Sequence, residues 1–265
     1  ILYRTKTPAV PTQSVLTITD AHDFAQVFIN GKLIGSIDRR NHEKTMLLPA
    51  MKEGDQLDIL VEAMGRINFG RAIKDFKGIT EKVELSYTMN TGSQVTVNLK
   101  NWQIYTLSDS YQVQKNMKYV PLKDQKVPGC YRATFNLKKT GDTFLNLETW
   151  GKGQVYVNGH AIGRFWKIGP QQTLYMPGCW LKKGENEIIV QDIVGPQETV
   201  VEGLSKPIID KLNVDAPNTH RKEGQTLNLA GETPCKAGEF APGNGWQAVS
   251  YTHLRAHETG RNVVC

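Results

Sequence analysis

No apolar run in this 265-residue chain reaches the ~18 residues that a membrane-spanning helix needs. Cysteine is scarce. The four present, at 130, 179, 235 and 265, include no CxxC pair, which argues against a zinc knuckle. Cys130 and Cys179 could pair across one domain; two buried thiols are the simpler expectation. Dense clusters of Lys and Arg are missing too. The 32 Lys and Arg against 26 Asp and Glu give +6, spread along the chain as a solvated basic surface rather than a nucleic-acid arm. The first residues, Ile1-Leu2-Tyr3-Arg4-Thr5, form no signal peptide and contain no initiator Met. The expectation is a cut into the middle of a longer chain. Also absent is any long window with a 3.6-residue apolar period. With 39% hydrophobic and 22% charged residues the chain is globular, and its length suggests two domains, or one and a half.

What is present is a series of short alternating runs separated by Gly, Asn, Asp and Pro. They include Val15–Thr19, Gln26–Ile29, Leu57–Val61, Gln94–Leu99, Tyr131–Phe135, Phe144–Leu147, Val155–Val157 and Glu187–Val190. Two of them run into Asn-Gly, at Asn30-Gly31 and Asn158-Gly159, the strongest short hairpin signal. This pattern predicts an all-β sandwich protein.

An internal repeat refines that. Gln26-Val-Phe-Ile-Asn-Gly-Lys-Leu-Ile-Gly35 matches Gln154-Val-Tyr-Val-Asn-Gly-His-Ala-Ile-Gly163 at an offset of 128, with six of ten positions identical. Pro49 and Pro177 keep the offset; Gly54 and Gly184 sit 130 apart. Solenoid repeats run ~20–50 residues, so the longer offset fits two copies of one sandwich domain. The glycines are expected to serve backbone geometry.

Two longer motifs carry a resemblance. The first is Val61-Glu-Ala-Met-Gly-Arg-Ile-Asn-Phe-Gly70, followed by Asp75-Phe-Lys-Gly-Ile79. The second runs from Val157-Asn-Gly159 through Gly163-Arg-Phe-Trp166 to Gly169-Pro-Gln-Gln-Thr-Leu-Tyr-Met-Pro177. Both resemble the accessory β domains of family 35 β-galactosidases, over roughly residues 1–195. The resemblance implies two tandem jelly-roll, galactose-binding-like domains that follow a catalytic TIM barrel. The expected divisions are 1–92, 93–195, a linker and the start of a truncated discoidin-like (F5/8 type C) domain over 196–249, and a sequencing-adapter artefact over 250–265. The barrel's glutamate pair, which hydrolyses terminal β-galactosides with retention, has no counterpart here, so the resemblance implies no catalytic residue, no cofactor and no metal. It implies as partners the protein's own barrel and β-galactoside glycans, with no nucleic acid, and an extracellular or periplasmic location. The competing reading is a free-standing galactose-binding-like module without a hydrolase.

Two clusters are candidates for sugar contact. Arg66, Asn68 and Phe69 lie on the loop from Gly65 to Gly70, which the resemblance points toward the barrel's pocket or uses as a docking edge. The family's Tyr is Phe69 here, so a stack survives and a hydroxyl bond does not. Arg164 and Trp166 follow the second Asn-Gly turn, where a guanidinium and a ring could hold a sugar, or the ring could pack inside. Trp150 and Trp180 read as core, and Trp102 is expected between the two copies. Three look-alikes are set aside. Asp20, His22 and Asp23 read as a turn rather than a metal or acid site. Glu185-Asn186-Glu187 imitates the barrel's acid motif but feeds a sandwich strand. His253 and His257, at i and i+4, have no third metal ligand nearby.

Overall fold

The computed structural model describes residues 1–69, 73–122, 126–169 and 172–209. The chain divides into two compact units, Ile1–Leu107 and a second that begins at Ser108. The first contains β1 (Leu2–Lys6), β2 (Ser14–Ile18), β3 (Ala21–His22), β4 (Phe24–Ile29), β5 (Lys32–Asp38), β6 (Thr45–Leu48), β7 (Gln56–Glu62), β8 (Gly78–Ile79), β9 (Val83–Thr88), β10 (Gln94–Asn98) and β11 (Gln103–Tyr105). One sheet runs β11-β1-β7-β4-β5 and the other β10-β9-β2-β6, with β3-β8 as a small third pair. Alternation decides which residues turn inward: β2 reads buried at Ser14, Leu16 and Ile18 and half-buried between them. Leu16, Ile18, Ile37, Leu48, Leu57, Ile59 and Leu85 are essentially inaccessible. Each contributes about 1.5–3 kcal/mol by leaving water.

The second unit contains α1 (Tyr111–Lys115), β12 (Gly129–Leu137), β13 (Thr143–Asn146), β14 (Lys152–Val157), β15 (His160–Trp166), β16 (Thr173–Met176), β17 (Gly184–Asp192) and β18 (Glu202–Leu204). Its sheets run β12-β17-β14-β15 and β16-β13-β18. Leu145, Leu147, Trp150, Val155, Val157, Phe165, Met176, Ile188 and Val190 form its core. The all-β expectation of two sandwiches therefore holds.

The repeat is structural in detail. Asn30 (φ 50°) and Gly31 (φ 79°) close the β4–β5 hairpin, and Asn158 (φ 49°) and Gly159 (φ 89°) close β14–β15. Positive φ at both central residues is what a two-residue turn of this hand requires. In both hairpins the register slips at the same place, between Val27 and Phe28 and between Val155 and Tyr156. Each turn asparagine also reaches the neighbouring strand. Asn30 donates to Asp55 (3.0 Å) and accepts from Gln56 N–H (2.9 Å). Asn158 donates to Asn186 (2.8 Å) and accepts from Glu187 N–H (3.0 Å).

Four expectations change. The division at 92/93 moves to 107/108, because β10 pairs with β9 and β11 with β1; the segment expected to open the second domain closes the first. The second unit also passes residue 195: β18 pairs with β13, and Gln172 N–H donates to the Ile208 carbonyl at 2.9 Å. Trp102 belongs to the first core, edge-on to Tyr3 at 6.5 Å, with its indole N–H on the Leu99 carbonyl. Trp150 is buried and Trp180 packs against the second core, as expected. Cys130 and Cys179 are free thiols, the first half-buried and the second exposed, so neither the pair nor two buried thiols is found. Residues 210–249 and 250–265, with the discoidin-like start, the adapter segment and His253/His257, lie outside the described residues, as do Gly70, Pro170 and Gln171.

Candidate functional site

The chain leaves β7 at Glu62 and returns at β8 (Gly78–Ile79). Arg66, Asn68 and Phe69 are all exposed on this connection. Four large apolar side chains stand out from it: Ile67 (42% accessible), Phe69 (49%), Ile73 (59%) and Phe76 (71%). So many bare apolar groups on one short segment are costly in water unless another surface covers them. Arg66 turns back and donates to the Asp75 carbonyl at 3.4 Å.

Beneath the loop lies a charge cluster that no local pattern announces. Asp23 and Asp75 are nearly inaccessible. Lys77 Nζ lies 2.6 Å from each of them, and Arg39 lies 2.6 Å from Asp23 and 3.0 Å from Asp75. His22 stands 2.8 Å from Asp20 and 3.1 Å from Asp75. Lys77's hydrogen bond, opposed by burial and reinforced by Arg39, holds the Asp75 carboxyl down at about 2. Burial works to raise Asp23, but bonds from Lys77, Arg39 and the Met64 N–H outweigh it and the net shift is downward. His22, Asp23 and Asp75 each bring one ligand-type atom within 4.8 Å of the others. The positions a metal would use against the two aspartates are taken by the ammonium and the guanidinium. The reading of Asp20, His22 and Asp23 as a plain turn is thus too modest: they form the base of an ion-paired lock. The clue in sequence was Asp75-Phe-Lys77, noted for its resemblance rather than its charges.

The second cluster is more open. Arg164 is exposed and Trp166 half-buried on β15. Lys152 Nζ sits over the Trp166 ring, 4.3 Å from its centroid, so a cation already covers one indole face. Phe165, between them, points into the core beside Trp150 at 6.5 Å. The structure therefore keeps Arg66, Asn68 and Phe69 on one loop, and Arg164 and Trp166 on one strand. A separate cavity of about 1770 Å³ in this unit has Tyr131, Phe135, Leu145, Trp150 and Met176 among its walls and includes neither Arg164 nor Trp166.

Glu187 is engaged by the Tyr111 hydroxyl at 2.8 Å and by Arg132. Burial raises its pKa, yet those two partners bring the net shift downward. Asn186 is buried and receives the Lys182 N–H at 3.0 Å. The Glu185–Glu187 segment is the start of a sandwich strand, as its turn context implied.

Two antiparallel sandwiches, each with the same Asn-Gly hairpin, define a tandem all-β module. The comparisons narrow it. The family "Beta-galactosidase, first all-beta domain" matches residues 1–108, and "Beta-galactosidase, galactose-binding domain" matches 128–186. Beta-galactosidase-1-like protein 3 of Rattus norvegicus is 38% identical over 64% of this chain and 26% of its own length. Human Beta-galactosidase-1-like protein 2 is 35% identical over 74% of this chain and 30% of its own. The beta-galactosidase of Bos taurus is 32% identical over 78% of this chain and 35% of its own. The chain carries the accessory β domains of a family 35 β-galactosidase. It spans about a quarter to a third of the length of these curated relatives. Among the described residues no helix is long and apolar enough to cross a membrane.

Proposed function

We propose that this segment is the non-catalytic part of an exo-β-galactosidase, outside the cell or in the periplasm, that removes terminal galactose from glycans. Its first unit holds the catalytic barrel and lines one side of the barrel's entrance with the Arg66–Phe69 loop. Its second unit contacts sugar through Arg164 and Trp166. The observation that carries the reading is the loop bearing exposed Ile67, Phe69, Ile73 and Phe76 above a buried ion lock. A rigid neck under an apolar tip suits a docking surface.

The carboxylates in view support an accessory role. A retaining glycosidase needs two carboxyl groups about 5–5.5 Å apart flanking an open sugar site. Asp23, Asp75 and Glu187 are each neutralised by cations in the fold instead. The test has two parts. The isolated chain should not hydrolyse nitrophenyl β-galactoside above a buffer blank; turnover lost on mutating Glu185 or Glu187 would refute the accessory role. In a polypeptide carrying this segment together with its barrel, Phe69→Ala should raise KM with kcat little changed, as removal of uniform binding does. An unchanged KM with a large drop in melting midpoint would make Phe69 a docking anchor rather than a pocket wall.

A further inference from the structure

An ammonium has three N–H donors. Lys77 has three oxygen partners in reach: Asp23 Oδ2 at 2.6 Å, Asp75 Oδ2 at 2.6 Å and the Gly65 carbonyl at 3.0 Å. Its side chain is only 7% accessible. The three partners come from different places. Asp23 immediately precedes β4, Gly65 is at the loop's entry, and Asp75 is at its exit beside Lys77 itself. Asp23 Oδ2 also accepts the Met64 N–H at 2.8 Å, one residue before Gly65. Arg39 bridges the same two carboxylates.

We infer that Lys77 is a positioning residue: its ammonium ties the entry and exit of the 65–77 loop to Asp23 and so sets the direction in which Phe69 and Phe76 project. A charge-balancing cation alone would need only the two carboxylates. The bond to the Gly65 carbonyl and the shared use of Asp23 by Met64 N–H are what join the lock to the loop. A methionine of similar length would fill the space but release the neck, and an arginine would keep the charge but offer a planar fork in place of three divergent donors.

The first arm of the test uses this chain and does not depend on the proposed function. Lys77→Met, Lys77→Arg and the paired variant Asp75→Asn/Lys77→Met are compared by melting and by exchange of the Met64 amide. Lys77→Met should lower the midpoint and speed Met64 exchange by about tenfold or more, as opening of a local unit does. The paired variant removes one charge of each sign. It should recover much of the midpoint while Met64 exchange stays fast. Recovery of both would reduce Lys77 to charge balance and overturn the inference. If Lys77→Met does not fold, Lys77→Arg decides: fast Met64 exchange supports positioning, and wild-type exchange overturns it.

The second arm rests on the proposed role of the loop and needs the barrel present. There the paired variant should raise KM with kcat within about twofold, the pattern of lost binding rather than lost chemistry. If Met64 exchange is fast and KM is unchanged, the positioning inference stands and the pocket-bordering role of the loop falls.

Discussion

Asp192, the last residue of β17, is completely buried and works only as an acceptor. Its Oδ2 takes the Gly151 N–H at 2.7 Å. Its Oδ1 takes the N–H groups of Lys152 (3.2 Å), Val194 (2.9 Å) and Gly195 (2.8 Å). One side chain thus fastens the start of β14 to the chain leaving β17. Asp192→Asn keeps the shape but has one acceptor oxygen. Placed at Oδ1, that oxygen retains three bonds, while the amide NH₂ faces the Gly151 N–H, donor against donor. Gly151 sits in close packing, where an added Cβ would lie 2.7 Å from Val194 Cβ and 2.9 Å from the Gly195 carbonyl oxygen. The orphaned donor alone costs about 1–3 kcal/mol. Replacing charged by neutral acceptors weakens the remaining three bonds, while the amide no longer buries a charge; the net expectation is about 2–4 kcal/mol. For a domain of this size that lowers the melting midpoint by on the order of 10–20 °C. Thermal melting gives the size, and amide exchange should show protection lost first at Gly151, Lys152 and Val194. A midpoint equivalent to less than about 0.5 kcal/mol from wild type, the range of neutral surface changes, would refute the reasoning.

The Asp75 carboxyl, held at about 2, predicts the acid limb of the first unit. A depressed folded-state pKa contributes stability that is present above the ordinary value of 3.8 and lost as pH falls from there through about 2. Denaturant melts at pH 5, 4, 3 and 2, about one unit apart, should show the fall in that window, and Lys77→Met should move it to higher pH. A first unit equally stable at both ends of the series would refute the contribution. At the second cluster, Lys152 lies over the Trp166 ring, and the proposed function assigns that ring to sugar contact. Trp166→Ala should weaken galactose binding, read by calorimetry, by about 1 kcal/mol; unchanged binding with a lowered midpoint would make the ring scaffold.

What the sequence made legible follows from the range of each interaction. The hairpins were readable because Asn30-Gly31 and Asn158-Gly159 impose positive φ within two residues, a constraint that needs no tertiary partner. The repeat at offset 128 carried over even to the register slip, since that slip sits inside the matching decapeptide. The domain boundary was misplaced for the opposite reason. The alternating run at Gln94–Leu99 looks the same whether it opens a second sandwich or closes the first, and only its pairing with Val83–Thr88 decides. Trp102 failed alike: its place is set by Tyr3, at the far end of the unit's sequence. The ion lock was least legible. Asp23, Arg39, Asp75 and Lys77 each sit in surroundings typical of exposed turns, and charged residues read singly are expected in water. The two aspartates and the Lys77 ammonium are buried, with Arg39 reaching in from a partly exposed position, because opposite charges arrive together from β3–β4, the end of β5 and the loop before β8. A buried pair costs desolvation on both sides and is returned only by geometry this close. The loop that this lock supports carries the resemblance motif Gly65-Arg66-Ile67-Asn68-Phe69, while the charges that hold it lie partly outside that motif. A reading confined to the motif finds what the loop displays and misses what holds it in place.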